Sequence, residues 1–263
     1  MDQAATPEAA QAATARARRA GNLLNTGRFD QALAEYDWLW RHLHHLAPDM
    51  AGVRISFTAS EIGHLCRQHP PAQDHFERVR DQTEAAIGNS GDAPSLEIRL
   101  DWMVLNEIVG QAERSLLWFE GVDLDGLPDA FVDRCIPRLV PPLRRRGRWA
   151  DIGRLFRQPL ARLREDHATM VHASAQKSNR PSFGRMSADD LLRDLFREQT
   201  TILYRGLRAA GRGDEAAAVR QEALALDPSP EMRENLPAET GEPGPTPSGG
   251  PAIAAATRSI RDV

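Results

Sequence analysis

Histidine and cysteine are the residues of this sequence best suited to chemistry, because both can bind a transition metal. They form two loose groups: His42, His44 and His45 in the first, and His64, Cys66 and His69 in the second. Zinc needs three or four convergent ligands, and neither group supplies a thiol pair or a carboxylate at a known spacing. We therefore predict polar helix faces, with no metal and no other cofactor. A metal-dependent enzyme or regulator that uses the histidine-rich first half is the alternative.

An acidic loop at residues 123–126 has the Asp-x-Asp-Gly start of a calcium-binding loop. An EF-hand would also need a glutamate near position 134, where Arg134 stands. The chain contains no Gly-x-Ser-x-Gly elbow, no glycine-rich phosphate loop and no Cys-x-x-Cys pair, which are the common marks of hydrolases, nucleotide-binding proteins and redox proteins. Nothing in the sequence gives a reason to propose a reaction, so we predict that the protein is not an enzyme.

Arginine clusters could bind an anion instead. The chain has 33 basic and 37 acidic residues and a formal charge of -4, which predicts no general attraction to nucleic acid or anionic lipid. Lys177 is the only lysine, a bias typical of a GC-rich, bacterial genome. The clusters are Arg144, Arg145, Arg146 and Arg148, and Arg16, Arg18 and Arg19. A helix C-terminus explains the first and a solvated helix face the second. An RNA-binding helical array through the first cluster is a further alternative.

Several other reactive or polar residues lie in apolar surroundings. Cys66 and Cys135 are far apart within helical patterns, so we expect reduced, buried thiols. Arg54 lies between apolar residues, where it can anchor a buried ion pair or face a ligand, and we favour the ion pair. The five tryptophans are mostly expected to pack between helices.

The elements that would position these residues are helices, because apolar residues recur three and four positions apart. Proline and glycine mark their ends. The predicted helices cover residues 8–26, 29–46, 52–68, 70–87, 95–120 with a division at Gly110, 129–146 with a kink or break at Pro137 and at residues 141–142, 149–172, 187–210 and 214–226. Polar loops are predicted at residues 88–94, 121–128 and 174–185.

The two ends of the chain differ from the middle. The tail repeats Pro, Gly, Thr and Ser with almost no large apolar side chain, so it cannot bury enough surface to offset its ordering entropy. We predict a single helical domain at residues 8–232, with disordered segments at residues 1–7 and 233–263. No stretch approaches the roughly 18–20 apolar residues that span a bilayer, and the N-terminus lacks a signal-peptide pattern. We therefore expect a cytoplasmic protein with no membrane contact.

A turn motif recurs three times, at residues 27–29, 147–149 and 211–213. In the last copy Gly211 is followed by Ala216, Ala223 and Pro228. These separations resemble the small residues and terminal proline of a tetratricopeptide repeat. After the first turn, Ala32 and Tyr36 hold the corresponding small and aromatic positions. After the second, Phe156 holds the aromatic position, but Ile152 stands where alanine is expected. The three turns are not spaced by multiples of the 34-residue period, so the intervening units would be degenerate.

This resemblance implies an all-α fold, an α-solenoid of antiparallel helix pairs with about ten helices. It also implies a protein-protein interaction scaffold or adaptor, because the concave groove of such repeats binds a peptide or partner domain. The first helix of each pair lines that groove, which implies four partner-binding residues: Asn25, Arg145, Arg205 and Arg208. Arginine forms paired hydrogen bonds with carboxylates, so a partner with acidic segments is expected and nucleic acid is not.

Overall fold

The computed structural model describes residues 7–46, 52, 54–89, 96–177 and 187–237. These residues are helical with no strand among them, which confirms the all-α prediction. They contain twelve α-helices, where about ten were expected from the sequence. The arrangement of helix pairs as a solenoid stays a prediction. No helix among the described residues is both long enough and apolar enough to cross a lipid bilayer.

The chain divides into two compact units, Met1–Arg146 and Gly147–Val263. The predicted single domain at residues 8–232 stays a prediction. Most of the two predicted disordered segments lies outside the described residues. The exceptions are Pro7, which begins the first helix, and residues 233–237, of which 233–235 belong to the last helix.

The first unit is built from seven α-helices and two shorter turns among its described residues. In chain order these are α1 (Pro7–Asn25), α2 (Phe29–Leu46), a π-helical turn (Arg54–Thr58), α3 (Ala59–Gln68), α4 (Pro70–Asn89), α5 (Leu96–Ile108), α6 (Glu113–Gly121), a 3-10 turn (Leu124–Gly126) and α7 (Asp129–Arg145). The core lies between α1, α2, α3, α4 and α5, where Tyr36, Ile62 and Phe76 are fully buried.

The predicted glycine turns are confirmed by the backbone. Gly27, Gly110, Gly147 and Gly211 have φ values of 70°, 75°, 67° and 75°, the left-handed region that a side chain disfavours. After α1, the amide of Arg28 donates to the carbonyl of Leu23 over 2.9 Å and that of Gly27 to Leu24 over 3.2 Å. This pair of bonds is the Schellman closure of a helix. It fixes the reversal from α1 into α2.

The prolines of α7 do not break it. Residues 129–145 form one helix with three internal prolines, so the predicted break at Pro137 and at residues 141–142 does not occur, and the predicted alternative of a kink stays a prediction. Each proline removes a backbone hydrogen bond. However, one side of α7 is buried, including Cys135, Ile136, Leu139 and Leu143, and tertiary packing of this kind overrides local propensity.

The second unit contains five α-helices among its described residues: α8 (Trp149–Leu155), α9 (Pro159–Lys177), α10 (Ala188–Ala209), α11 (Gly213–Leu226) and α12 (Pro230–Asn235). Helix α10 is central, because it contacts each of the other four. The prediction of one helix over residues 149–172 is wrong, since α8 ends before Pro159 begins α9. Proline disfavours a helical conformation in the residue that precedes it, which explains the interruption.

The loop predictions hold in part. Helix α4 continues through Asn89 and α9 through Lys177, so the first residues of the predicted loops at 88–94 and 174–185 are helical. The remaining residues of both loops lie outside the described part of the chain. The predicted loop at 121–128 contains the 3-10 turn, in which Asp123 accepts a hydrogen bond from the amide of Asp125 over 3.1 Å.

A partly buried ion pair joins α10 to the end of α11 in the second unit. Arg197 Nε donates to Asp227 Oδ2 over 2.8 Å. Partial burial disfavours the charged form of Asp227, but hydrogen bonds from Arg197 and Ser229 outweigh it and hold the pKa of this carboxyl below its usual range. Stabilisation from this pair is therefore complete above the unfolded pKa near 4 and is lost as pH falls through the lower folded pKa.

We expect acidification from pH 5 to pH 2 to destabilise the second unit partly through Asp227. Asp227→Asn should lower the free energy of unfolding at pH 5 by about 1–2 kcal/mol and shrink the difference between the two pH values by a similar amount. Urea titrations followed by circular dichroism measure both quantities. An Asp227→Asn protein with the full wild-type pH dependence would contradict this assignment.

Candidate functional site

The four residues predicted to bind a partner lie at helix ends or on the central helix of the second unit. Asn25 is exposed at the end of α1. Arg145 is exposed at the end of α7, where its Nη2 lies 3.2 Å from Glu113 Oε1. Arg205 is half-buried on α10, with its guanidinium carbon 4.2 Å from the ring centre of Trp149. Arg208, also half-buried, lies 5.9 Å from the ring of Tyr204.

The structure separates these residues between the two units. Asn25 and Arg145 belong to the first unit, and Arg205 and Arg208 to the second. Arg205 and Arg208 are three residues apart on one helix and therefore share a face. Arg205 is held against Trp149, so part of its side chain contributes to packing. Their role in partner binding stays a prediction.

The histidines make pairwise contacts within the first unit. His42 Nδ1 lies 2.8 Å from the carbonyl oxygen of Trp38, and His69 Nε2 lies 2.9 Å from Asp30 Oδ1. His64 contacts Gln68 one turn further along α3. Among the side chains that the structure describes, no three of His, Cys, Asp or Glu converge as a metal site would require. The side chains of His44 and His45 lie outside the described set.

Both cysteines are buried and unpaired as thiols, which confirms that part of the sequence prediction. Burial raises the pKa of Cys66 and of Cys135 to about 12. Because burial disfavours the thiolate, both side chains are neutral thiols near neutral pH.

Arg54 forms the buried ion pair that was favoured from the sequence. The residue is only 5% exposed. Its Nη2 pairs with Asp101 Oδ1, and its Nη1 donates to the carbonyl of Trp40 over 3.4 Å. Its guanidinium carbon also lies 4.5 Å from the Trp40 ring centre. Arg54 therefore joins the π-helical turn to α2 and α5.

Several arginines of the two clusters form ion pairs with acidic side chains. Glu113 pairs with both Arg145 and Arg146, and Arg148 pairs with Asp151 over 2.7 Å. On α1, Arg16 is not merely solvated, because its guanidinium stacks 4.0 Å from the Trp38 ring and reaches Glu35 over 3.0 Å. These pairings reduce the positive charge that either cluster offers to a ligand.

A basic depression of about 540 Å³ lies on the hairpin of α1 and α2. It is lined by Ala15, Arg18, Arg19, Asn22, Leu23, Thr26, Arg28 and Gln31. Arg18 and Arg28 are exposed and make no ion pair or side-chain hydrogen bond with the described part of the chain. Arg19 reaches Glu35 over 3.4 Å but remains 69% exposed.

Asn25, which was predicted from the sequence to bind a partner, lies on the same face of α1 as two residues of the basic depression. Arg18, Asn22 and Asn25 are spaced four and three positions apart on α1, so they share one helix face. All three are exposed. Arg28 joins them because the Gly27 turn places the start of α2 beside the end of α1. Arg28 was not predicted as a binding residue, although its position directly after the turn glycine Gly27 was a signal for one.

A second, smaller cleft of about 150 Å³ lies in the first unit beside the π-helical turn. Its lining comes from the turn and from α3, α5 and α7, and we name it the Arg67 cleft: Ser56, Ala59, Ser60, Gly63, Arg67, Glu107, Ile108 and Arg138. None of these residues stood out in the sequence, because they are brought together from four separate segments. π-Helical turns are rare and are enriched at functional sites.

No protein-family profile, curated protein or solved structure matches this chain.

Proposed function

We propose that the protein is a non-catalytic interaction module that binds an acidic peptide segment of a partner protein in the basic depression of the α1–α2 hairpin. The observation that carries this proposal is the convergence of Arg18, Arg19 and Arg28 around one depression, with Arg18 and Arg28 not engaged by described residues. This proposal is compatible with the tetratricopeptide-like scaffold proposed from the sequence, in which the first helix of each hairpin supplies the binding face.

Charge and hydrogen bonding favour an acidic peptide. Guanidinium groups bind carboxylates through two parallel, charge-assisted hydrogen bonds. Asn22 and Gln31 add amide groups to the same lining, and amides can pair with a peptide backbone. The formal charge of the whole chain is -4, so a local concentration of three arginines distinguishes this surface from the average of the molecule.

Size and lining favour a short segment of polypeptide. The volume of about 540 Å³ falls within the range of about 300–1,000 Å³ that is typical of ligand sites. Ala15 and Leu23 add apolar side chains to the lining beside the arginines. This arrangement suits a segment in which acidic residues flank one small apolar side chain. Asn25 would extend contact along α1, in agreement with its predicted role.

Charge reversal at the depression tests the proposal. Arg18→Glu combined with Arg28→Glu should weaken binding of a fluorescein-labelled Asp/Glu-rich peptide by at least about tenfold, because like charges would then face each other. Wild-type binding should weaken with added salt, since these charges are solvent-exposed. Fluorescence anisotropy at several salt concentrations measures both effects.

A matched control is available on exposed helix faces elsewhere. Arg78→Glu combined with Arg193→Glu makes the same change in net charge, and both arginines are exposed. This protein should bind the peptide as wild type does. Equal weakening by both double variants would show a general charge effect and contradict the site. Tighter binding of a single-stranded RNA than of the peptide would contradict the proposed class of partner.

A further inference from the structure

The Arg67 cleft contains two polar groups that are not used by the rest of the fold. Arg67 and Ser60 are exposed on α3 and make no ion pair or side-chain hydrogen bond with the described residues. Seven positions separate them, so they lie on the same side of the helix, two turns apart. Gly63 lies between them in the lining. The cleft thus presents a guanidinium fork and a hydroxyl towards the same space.

Gly63 lies close to both the Arg67 guanidinium and the end of α5. A Cβ atom on this residue would be 3.5 Å from Arg67 Nη1 and 3.6 Å from the carbonyl oxygen of Ile108. These are ordinary van der Waals distances, so the α3 backbone at Gly63, the Arg67 guanidinium and the carbonyl of Ile108 lie side by side in the lining of the cleft.

Arg138 enters the same cleft from α7 and is held in place. Its Nη1 donates to Glu107 Oε2 over 2.7 Å, and its Nη2 donates to the carbonyl of Ile55 in the π-helical turn. The side chain is only 14% exposed. Glu107 compensates one positive charge, so the cleft retains a net charge of about +1 from Arg67. Because Arg138 is already fixed, a ligand would not have to order it.

We propose that the Arg67 cleft binds a small phosphate group, either free phosphate or the phosphate of a small monoester. Arg67 can engage two oxygens through its planar fork, and the hydroxyl of Ser60 can donate to a third. A phosphate monoester carries a charge of about -1.5 to -2 near neutral pH and a carboxylate only about -1, so the positive cleft favours phosphate. This site is separate from the basic depression and does not depend on peptide binding there.

The volume limits the size of the ligand. Water occupies about 30 Å³ per molecule in the liquid, so a cleft of about 150 Å³ holds a phosphate with one or two waters. Drug-sized ligands and peptides need sites of about 300 Å³ or more. The cleft therefore fits the phosphate group itself, and a larger ligand would have to extend outside it.

Titration of inorganic phosphate into the full chain, followed by 31P NMR and calorimetry, tests the site. We expect saturable binding below about 20 mM at low ionic strength. Arg67→Gln should weaken phosphate binding at least about tenfold, because it removes a positive charge and a pair of charge-assisted hydrogen bonds. Ser60→Ala should weaken binding by a smaller factor, because it removes a single hydrogen bond. Both residues are exposed, so the variants should keep the wild-type circular dichroism spectrum.

Two variants and two alternative ligands serve as controls. Arg78→Gln removes an exposed arginine of the same unit and should leave phosphate binding unchanged. Arg18→Glu combined with Arg28→Glu should also leave it unchanged, which separates this site from the basic depression. Glycerol phosphate in place of phosphate distinguishes a monoester from the free ion, and acetate should bind more weakly than either. Wild-type affinity in Arg67→Gln, loss of binding in the Arg18/Arg28 variant, or acetate binding as tight as phosphate binding would each overturn the proposal.

Discussion

Gly153→Ala is expected to destabilise the second unit by about 3 kcal/mol, the upper part of the usual range for overpacking. Gly153 of α8 and Gly206 of α10 lie at the crossing of these helices, backbone against backbone. A Cβ atom on Gly153 would overlap the carbonyl group of Gly206 and lie 2.8 Å from the Cβ of Ala210. Backbone atoms cannot rotate away as a side chain can. The helices would have to separate, and the buried surface of Ile152 and Leu155 would open with them.

A graded series of alanine variants tests this crossing. Gly206→Ala should cost less than Gly153→Ala, because its nearest backbone contact is the amide nitrogen of Gly153 at 2.9 Å. Gly121→Ala should be neutral within about 1 kcal/mol, since nothing lies within 4 Å of an added Cβ at this position. Urea unfolding followed by circular dichroism gives the free energies, and hydrogen exchange of α8 and α10 locates the change. Equal stability of Gly153→Ala and wild type would contradict the close crossing.

The helical fold and its turns could be read from the sequence because their signals are local. Apolar periodicity predicted α1 and α2 within one residue at each end. Gly27 and Gly211 were predicted as turns and have positive φ. Each signal lies within a few residues of the feature that it predicts. The same property explains why the hairpin turns are the most accurate part of the prediction.

The errors arose where distant residues decide the structure. Proline is a local signal for a helix break, but at Pro137 the burial of one side of α7 keeps the helix continuous. Gly153 looks like a weak point within a helix, and its purpose appears only when Gly206 of another helix lies against it. At Pro159 the local signal was present. It was missed because apolar periodicity on both sides favoured one continuous helix.

The candidate sites show the same contrast between local signals and contacts of residues that are distant in sequence. Asn25 could be proposed because it ends the first helix of a hairpin. Arg28 reaches the same surface through the turn. The Arg67 cleft could not be proposed, since Arg138 is separated from Ile55, whose carbonyl it binds, by 83 positions. Spacing along one helix carries no information about such a contact.

Removal of the Arg54 guanidinium should be the most damaging change in the first unit. Arg54→Met retains the length of the side chain but leaves Asp101 and the Trp40 carbonyl without their buried donor. Breaking a buried pair from one side costs about 3–5 kcal/mol. Because the Asp101 side chain is 25% exposed and recovers part of its hydration, we expect about 3 kcal/mol. Urea unfolding measures this loss.

The double variant Arg54→Met/Asp101→Leu separates the ion pair from simple packing. Replacing both partners of a buried pair by apolar side chains is often nearly neutral, so the double variant should recover more than half of the stability lost in Arg54→Met. The exposed pair Arg114–Glu84, with side chains 39% and 40% exposed, is the matched control, and Arg114→Met should cost less than about 1 kcal/mol. If Asp101→Leu lowers stability further in the Arg54→Met background, the unpaired carboxylate is not the cause of the loss. Arg54 would then act through its contact with the Trp40 ring.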